Sequence, residues 1–167
     1  MRIPRWLSVI IGGVFFFVIY YVAPRALAPM GQRHWWFDGH PGAANELGLI
    51  AVVGGAVLLL WVQVQHFEGA KEGARIGNPF EGPGYVLTGG PYRFCRHPMH
   101  LATLAIWFGW ALYYGSVDVA VGAIVILAMI AIFAPAEERV IEATLGDEYR
   151  QYKARVPRWP WQSIGRT

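Results

Sequence analysis

The sequence predicts an all-α integral membrane protein: four transmembrane helices, a cytoplasmic connector and an amphipathic C-terminal helical extension, within one domain of 167 residues. Three observations lead there. The chain is 55% apolar and only 15% charged, far from the composition of soluble domains. Its apolar residues gather in four runs, Leu7 to Ala23, Leu47 to Val64, Met99 to Tyr114 and Val119 to Ala134, of sixteen to eighteen residues each. Its Lys and Arg are shared unequally among the segments between those runs. A 15% aromatic share and a mean hydropathy of +0.34 exclude a disordered chain and a coiled coil. The single Cys, Cys95, excludes an internal disulfide framework and a Cys-based zinc site.

At about 1.5 Å of rise per residue each run reaches roughly 24 to 27 Å, so a few flanking residues complete a crossing of about 30 Å of hydrocarbon. Lipid offers the backbone no hydrogen-bond partner, and runs without alternating polarity exclude barrel strands. The first run has a competing reading as a cleaved signal peptide, because Arg2 and Arg5 precede it and Ala26-Leu27-Ala28 resembles a small-residue cleavage site. Its length and Pro29 just beyond that site favour a retained helix. Between the first two runs, Trp35, Trp36 and Phe37 suit an aromatic belt. In the second helix Gly48, Gly54 and Gly55, with Ala51, permit close helix contact, within the chain or at the seam of a homodimer; intramolecular packing comes first.

Twelve of the fourteen Lys and Arg fall on one side of a four-helix arrangement, leaving Arg25 and Arg33 on the other. That asymmetry puts both termini in the cytoplasm. It also assigns the net charge of +3 to topology, with the lipid bilayer and no nucleic acid as partner.

Gln65 to Arg96 is the connector, rich in Gly and Pro at Asn78-Pro79, Gly82-Pro83-Gly84 and Gly89-Gly90-Pro91. Phe80, Tyr85, Val86, Leu87, Tyr92 and Phe94 argue that it folds over something rather than staying disordered. The third and fourth runs are joined by only Gly115 to Asp118, so they are antiparallel neighbours. Past the fourth run, Pro135 kinks the helix and Val140, Ile141, Leu145, Tyr149 and Tyr152 form the apolar stripe of its extension. Gly146 weakens its far end, and Pro157 and Pro160 with Trp159 and Trp161 end it. The Trp pair reads as an interfacial anchor.

Two charged clusters therefore converge at one depth. Arg96-His97-Pro98-Met99-His100 opens the third helix, and Glu137-Glu138 closes the fourth. His97 and His100 are three apart, as metal ligands can be, but no third ligand is evident, so no metal is expected. Cys95, between Arg93 and Arg96, is either a thiol of lowered pKa or a packing residue.

Val86-Leu87-Thr88-Gly89-Gly90-Pro91-Tyr92-Arg93-Phe94-Cys95-Arg96-His97-Pro98-Met99-His100-Leu101 resembles the signature of the isoprenylcysteine carboxyl methyltransferase and phospholipid methyltransferase-like membrane enzymes. Glu137-Glu138, Leu145-Gly146-Asp147-Glu148-Tyr149, Tyr152 and Arg155-Val156-Pro157-Arg158 are similar to that family in the same order. The resemblance covers residues 80 to 160. It implies a methyltransferase with S-adenosylmethionine as donor and a lipid-like or apolar acceptor bearing a thiol, carboxylate or amine. By matching positions it implies that Val86, Leu87, Tyr92, His97, Pro98, Met99, His100, Glu137 and Glu138 bind the cofactor. A thiol or amine acceptor must also lose a proton, which His100 or a Glu can accept, and His100 is the candidate catalytic base. Residues 1–64 are then an N-terminal helical hairpin and residues 65–167 the cofactor-binding half. His100 stands where the family usually has Tyr and Ala102 where Gly is common, so the pocket wall differs there. Ile130 to Ala136 lacks the Arg that prenylcysteine enzymes carry for the substrate carboxylate. Two alternatives stand beside this reading: a nicotinamide-dependent membrane reductase relative, which lacks support from any Gly-rich dinucleotide turn, and a non-catalytic lipid-binding scaffold.

Overall fold

The computed structural model describes residues 5–71 and 85–162. Asn78-Pro79, Phe80 and Gly82-Pro83-Gly84 of the expected connector lie outside the described residues, as do Arg2, Arg75 and Arg166 of the charge count. The chain is mostly helical. In order it forms α1 (Arg5–Phe17), a π-helical turn (Val18–Val22), α2 (Ala23–Leu27), the short strands β1 (Trp36–Phe37) and β2 (His40–Pro41), and α3 (Ala43–Lys71). A 3₁₀ turn (Gly90–Arg93), α4 (Pro98–Tyr114), α5 (Val117–Leu145) and α6 (Asp147–Arg155) follow. Among the described residues two helices, Ala43–Glu68 and Val117–Leu145, are long and apolar enough to cross a membrane. The apolar stretch Ile11–Leu27 and the 17-residue α4 are shorter.

The chain divides into two compact units, Met1–Gly54 with Thr103–Ile126, and Gly55–Ala102 with Leu127–Thr167. In the first, the helix runs past the end of the apolar run at Ala23 to Leu27. The π turn widens the backbone at Val18–Val22, so Pro24 falls in the first turn of α2, where a missing N–H leaves nothing unsatisfied. The same turn offers a carbonyl outward: Trp110 Nε1 donates to the Tyr20 carbonyl at 2.7 Å, and the Tyr20 hydroxyl bonds Thr103 Oγ1 at 2.8 Å. Ala28, in the candidate cleavage site, is wholly buried in the core of Trp107, Ala111, Tyr114, Val119 and Ala123. These contacts make the first apolar segment a packed part of the unit.

The aromatic segment is more ordered than a belt requires. β1 and β2 pair antiparallel across Asp38 and Gly39, both with positive φ, the Asp-Gly signature of a tight hairpin. Trp35 and Phe37 are exposed, whereas Trp36 is half-buried and donates to the Tyr113 carbonyl at 3.2 Å. Of the helix-contact glycines, Gly48 faces Gly109 so closely that a Cβ on Gly109 would lie 2.7 Å from the Gly48 carbonyl oxygen. Gly54 has open space around it. The loop between α4 and α5 turns at Gly115, where φ is +57° and a Cβ would run into the His34 carbonyl.

In the second unit, α3 continues through Gln65 to Lys71, so the first seven residues of the expected connector are helical. They contain strong helix formers, and Gln65 bonds Glu68 across one turn at 2.9 Å. Pro135 lies inside an uninterrupted α5. The extension is broken instead at Gly146, whose φ of +58° ends α5 and lets α6 start in a new direction. Tyr149 and Tyr152 bury their rings with Val156 against Val86, Ile141 and Leu145. Val140 is exposed and lies off that stripe.

Candidate active site

Pro98 is the first residue of α4 and is fully buried, a position that tolerates the missing N–H. It aims the two residues before it at the end of α5. Arg96 donates from Nε to Glu138 Oε1 at 2.9 Å and from Nη2 to Oε2 at 3.3 Å. Arg158 approaches the same carboxylate from the chain after α6, at 3.0 and 2.8 Å. His97 Nε2 adds a third partner to Oε1 at 3.0 Å. Arg96 is itself tied to the tail, donating from Nη1 to the Val156 carbonyl at 2.7 Å and from its backbone N–H to Pro157 at 3.0 Å. Two guanidinium forks and an imidazole on one carboxylate make a saturated knot. Glu138, at 2% side-chain exposure, has nothing left for a ligand.

Beside the knot lies a cavity of about 220 Å³. His97 and His100 form one wall, stacked with ring centroids 5.0 Å apart and planes 13° from parallel. Trp159 covers both rings, at 5.8 and 6.5 Å, so it belongs to the site and is not a free interfacial anchor. Trp161, 68% exposed, stacks on its outer face at 5.7 Å. Glu137 is half-exposed and brings Oε2 to 3.7 Å from His97 Nδ1. Among the described residues, His100 Nδ1 is buried without a hydrogen-bond partner. The ligand-type atoms of His97, His100 and Glu137 all lie within 4.8 Å of one another. The third metal-type ligand that spacing alone did not reveal is therefore present.

Aromatic side chains close the other wall. His66 Nε2 and the Tyr92 hydroxyl are 2.9 Å apart, and the Tyr152 hydroxyl donates to the Tyr92 carbonyl at 2.8 Å. Burial pushes the Tyr92, Tyr149 and Tyr152 phenols up, with nearby Glu137 adding to the effect at Tyr92 and Glu138 at Tyr149, so all three are neutral donors. Gly90, with φ of +53°, lets the 3₁₀ turn sit against α3: a Cβ there would lie 2.7 Å from Gln65 Cδ. Cys95 lies behind this wall, and burial pushes its thiol up. Arg96 does not activate it, because its fork is spent on Glu138.

Of the nine expected cofactor residues, Val86, Leu87, Tyr92, His97, Met99, His100 and Glu137 line the cavity. Pro98 and Glu138 do not: one starts the helix and the other anchors the knot. His66, Tyr85, Arg96, Ile141, Tyr149 and Tyr152 line it as well. His66 was missed because it sits just past an apolar run, where a His reads as an ordinary membrane-border residue.

The family model described as phospholipid methyltransferase matches residues 45–148, more than half of the chain. This protein belongs to the phospholipid methyltransferase family. The family match takes in the cavity residues from His66 to Ile141 and stops just short of Tyr149, Tyr152, Arg158 and Trp159. The chain thus carries the methyltransferase identity of the phospholipid methyltransferase family, and the family and its two long apolar helices point to a membrane protein. An uncharacterized protein of Haemophilus influenzae is 40% identical over 62 residues, which are 98% of that relative and 36% of this chain. No solved structure matches the chain significantly.

Proposed function

We propose that the protein is an integral membrane methyltransferase with four spans and both termini in the cytoplasm. It takes S-adenosylmethionine at the cavity of the second unit and methylates a lipid-like or apolar acceptor. The observation that carries this reading is the half-exposed Glu137 carboxylate beside the His97–His100 stack, in a cavity otherwise walled by aromatic and aliphatic side chains.

The chemistry of these groups fits the donor. A half-exposed carboxylate and tyrosine faces suit a cation, and Val86, Leu87 and Met99 suit a flat apolar ring system. Neutral phenols and the unpartnered His100 Nδ1 can bond hydroxyl and amino groups. When bound, the donor supplies an activated methyl group on a good leaving group, so the protein's main task is alignment. The Glu138 knot holds His97 in place, and Trp159 keeps water from both imidazoles. A carboxylate acceptor needs no base. A thiol or amine must give up a proton, and the His100 ring, held by stacking and with one nitrogen free, is the group we assign to receive it.

Isothermal titration of the detergent-solubilised protein with the donor and with its demethylated product tests the cofactor. Saturable binding of both is expected; absence of binding by demonstrably folded protein overturns the proposal. Transfer of labelled methyl from the donor into thiol, carboxylate and amine acceptors of matched chain length then identifies the acceptor. Binding without any transfer would favour a scaffold.

A further inference from the structure

The first unit holds a cavity of its own, about 490 Å³, sharing no residue with the candidate active site. We propose that it binds the phosphate group of an anionic phospholipid through Arg25 and Arg33. Both residues line it. Among the described residues neither forms an ion pair with a carboxylate. Arg33 lies over the Trp36 ring at 4.6 Å and near the Tyr114 ring at 5.8 Å, while Arg25 sits at the Tyr114 hydroxyl. Stacking on an aromatic face fixes a guanidinium plane and leaves its N–H edge free to bond. The stacked Arg33 and the Arg25 held at the Tyr114 hydroxyl bring two cations to one cavity, and a bound phosphate relieves the repulsion between them.

The walls are preformed. Trp36 and Trp110 have their indole N–H groups committed to the Tyr113 and Tyr20 carbonyls, and Trp110 stacks on Tyr114 at 5.3 Å. The rim supplies the argument for a lipid over free phosphate. Leu49 and Pro29 line the cavity, and Leu49, Ile50 and Val53 leave an exposed apolar strip on the same helix, along which acyl chains can lie. Basic residues beside apolar surface attract anionic headgroups. The inference needs only the first unit and does not depend on methyl transfer.

Native mass spectrometry of the protein with phosphatidylglycerol, diacylglycerol and millimolar inorganic phosphate tests it. Phosphatidylglycerol should be retained and diacylglycerol should not. The Arg25→Gln/Arg33→Gln double variant should lose retention by about tenfold or more, with helical circular dichroism and donor-product binding unchanged. Equal retention by wild type and variant overturns the proposal, and displacement of the lipid by inorganic phosphate overturns the choice of a lipid. Should the variant fail to fold, a photo-crosslinkable phosphatidylglycerol on the wild-type protein decides. Crosslinks within residues 21–36 and 110–114 support the site; crosslinks only elsewhere overturn it.

Discussion

Arg96 and Glu138 lie 42 positions apart and meet as a two-pronged ion pair in which each side chain retains 2% exposure. A buried carboxylate is stable only while its partners remain, so this pair ties the start of α4 to the end of α5. The Glu138→Gln variant should therefore unfold in detergent at lower temperature or denaturant, losing about 3 to 5 kcal/mol because two guanidinium groups are left uncompensated. Circular dichroism melts give the measure, and a loss under 1 kcal/mol would mean that the knot is no stronger than a surface pair.

Glu137 should behave oppositely. Being half-exposed, its change to Gln should alter stability by no more than about 0.5 kcal/mol. It should weaken binding of the methyl donor by roughly tenfold, the scale of one charge-assisted contact. Titration calorimetry on the two variants side by side separates the roles; donor affinity unchanged in Glu137→Gln would remove this carboxylate from the site.

Cys95 should be a poor nucleophile in the folded protein. Burial raises its pKa, so iodoacetamide at pH 8 should label it far more slowly than an unhindered thiol of ordinary pKa near 8.5. Denaturant should restore the ordinary rate. Fast labelling of folded protein would restore the reading of an activated thiol.

Stability should fall on the alkaline side. Tyr92, Tyr149 and Tyr152 have phenols raised above the ordinary value, so the folded chain stays protonated where the unfolded chain ionises. Their contribution is complete below the ordinary phenol pKa of about 10 and is lost as pH rises through the folded values. Unfolding followed from pH 8 upward should decline beyond roughly 10 and less so in the triple Phe variant; identical profiles would reject the assignment.

The close passage of Gly48 and Gly109 gives a paired comparison. Gly109→Ala forces a methyl against the Gly48 carbonyl oxygen and Val52 and should cost about 1 to 3 kcal/mol. Gly54→Ala, with nothing within 4 Å of the new Cβ, should be neutral or slightly stabilising through helix propensity. Equal effects, read by thermal unfolding, would show that the crossing tolerates a methyl.

The juxtaposition of His97 with the Glu pair was legible because a loop of a few residues leaves α4 and α5 no other relationship. The difference between the two acids was not. Adjacent residues on a helix point about 100° apart, so one turns to the arginines and the other to the cavity, and sequence does not say which. His66 and Trp159 were hidden for a related reason. Each is brought in by a fold-back, His66 by contact with Tyr92 and Trp159 by the chain after α6, and neither has a local signature. The π turn was also invisible, since Val, Ile and Tyr read as ordinary helix.

The clamp on Glu138 also has an order in time. Arg96 precedes Glu138 from the ribosome, but Arg158 comes 20 residues later and supplies two of its hydrogen bonds. While the nascent chain is still short of that arginine, the carboxylate has only part of its neutralising shell. The tail after α6 is therefore what completes the neutralisation of Glu138, and a chain cut before Arg158 lacks two of the donors to that carboxylate.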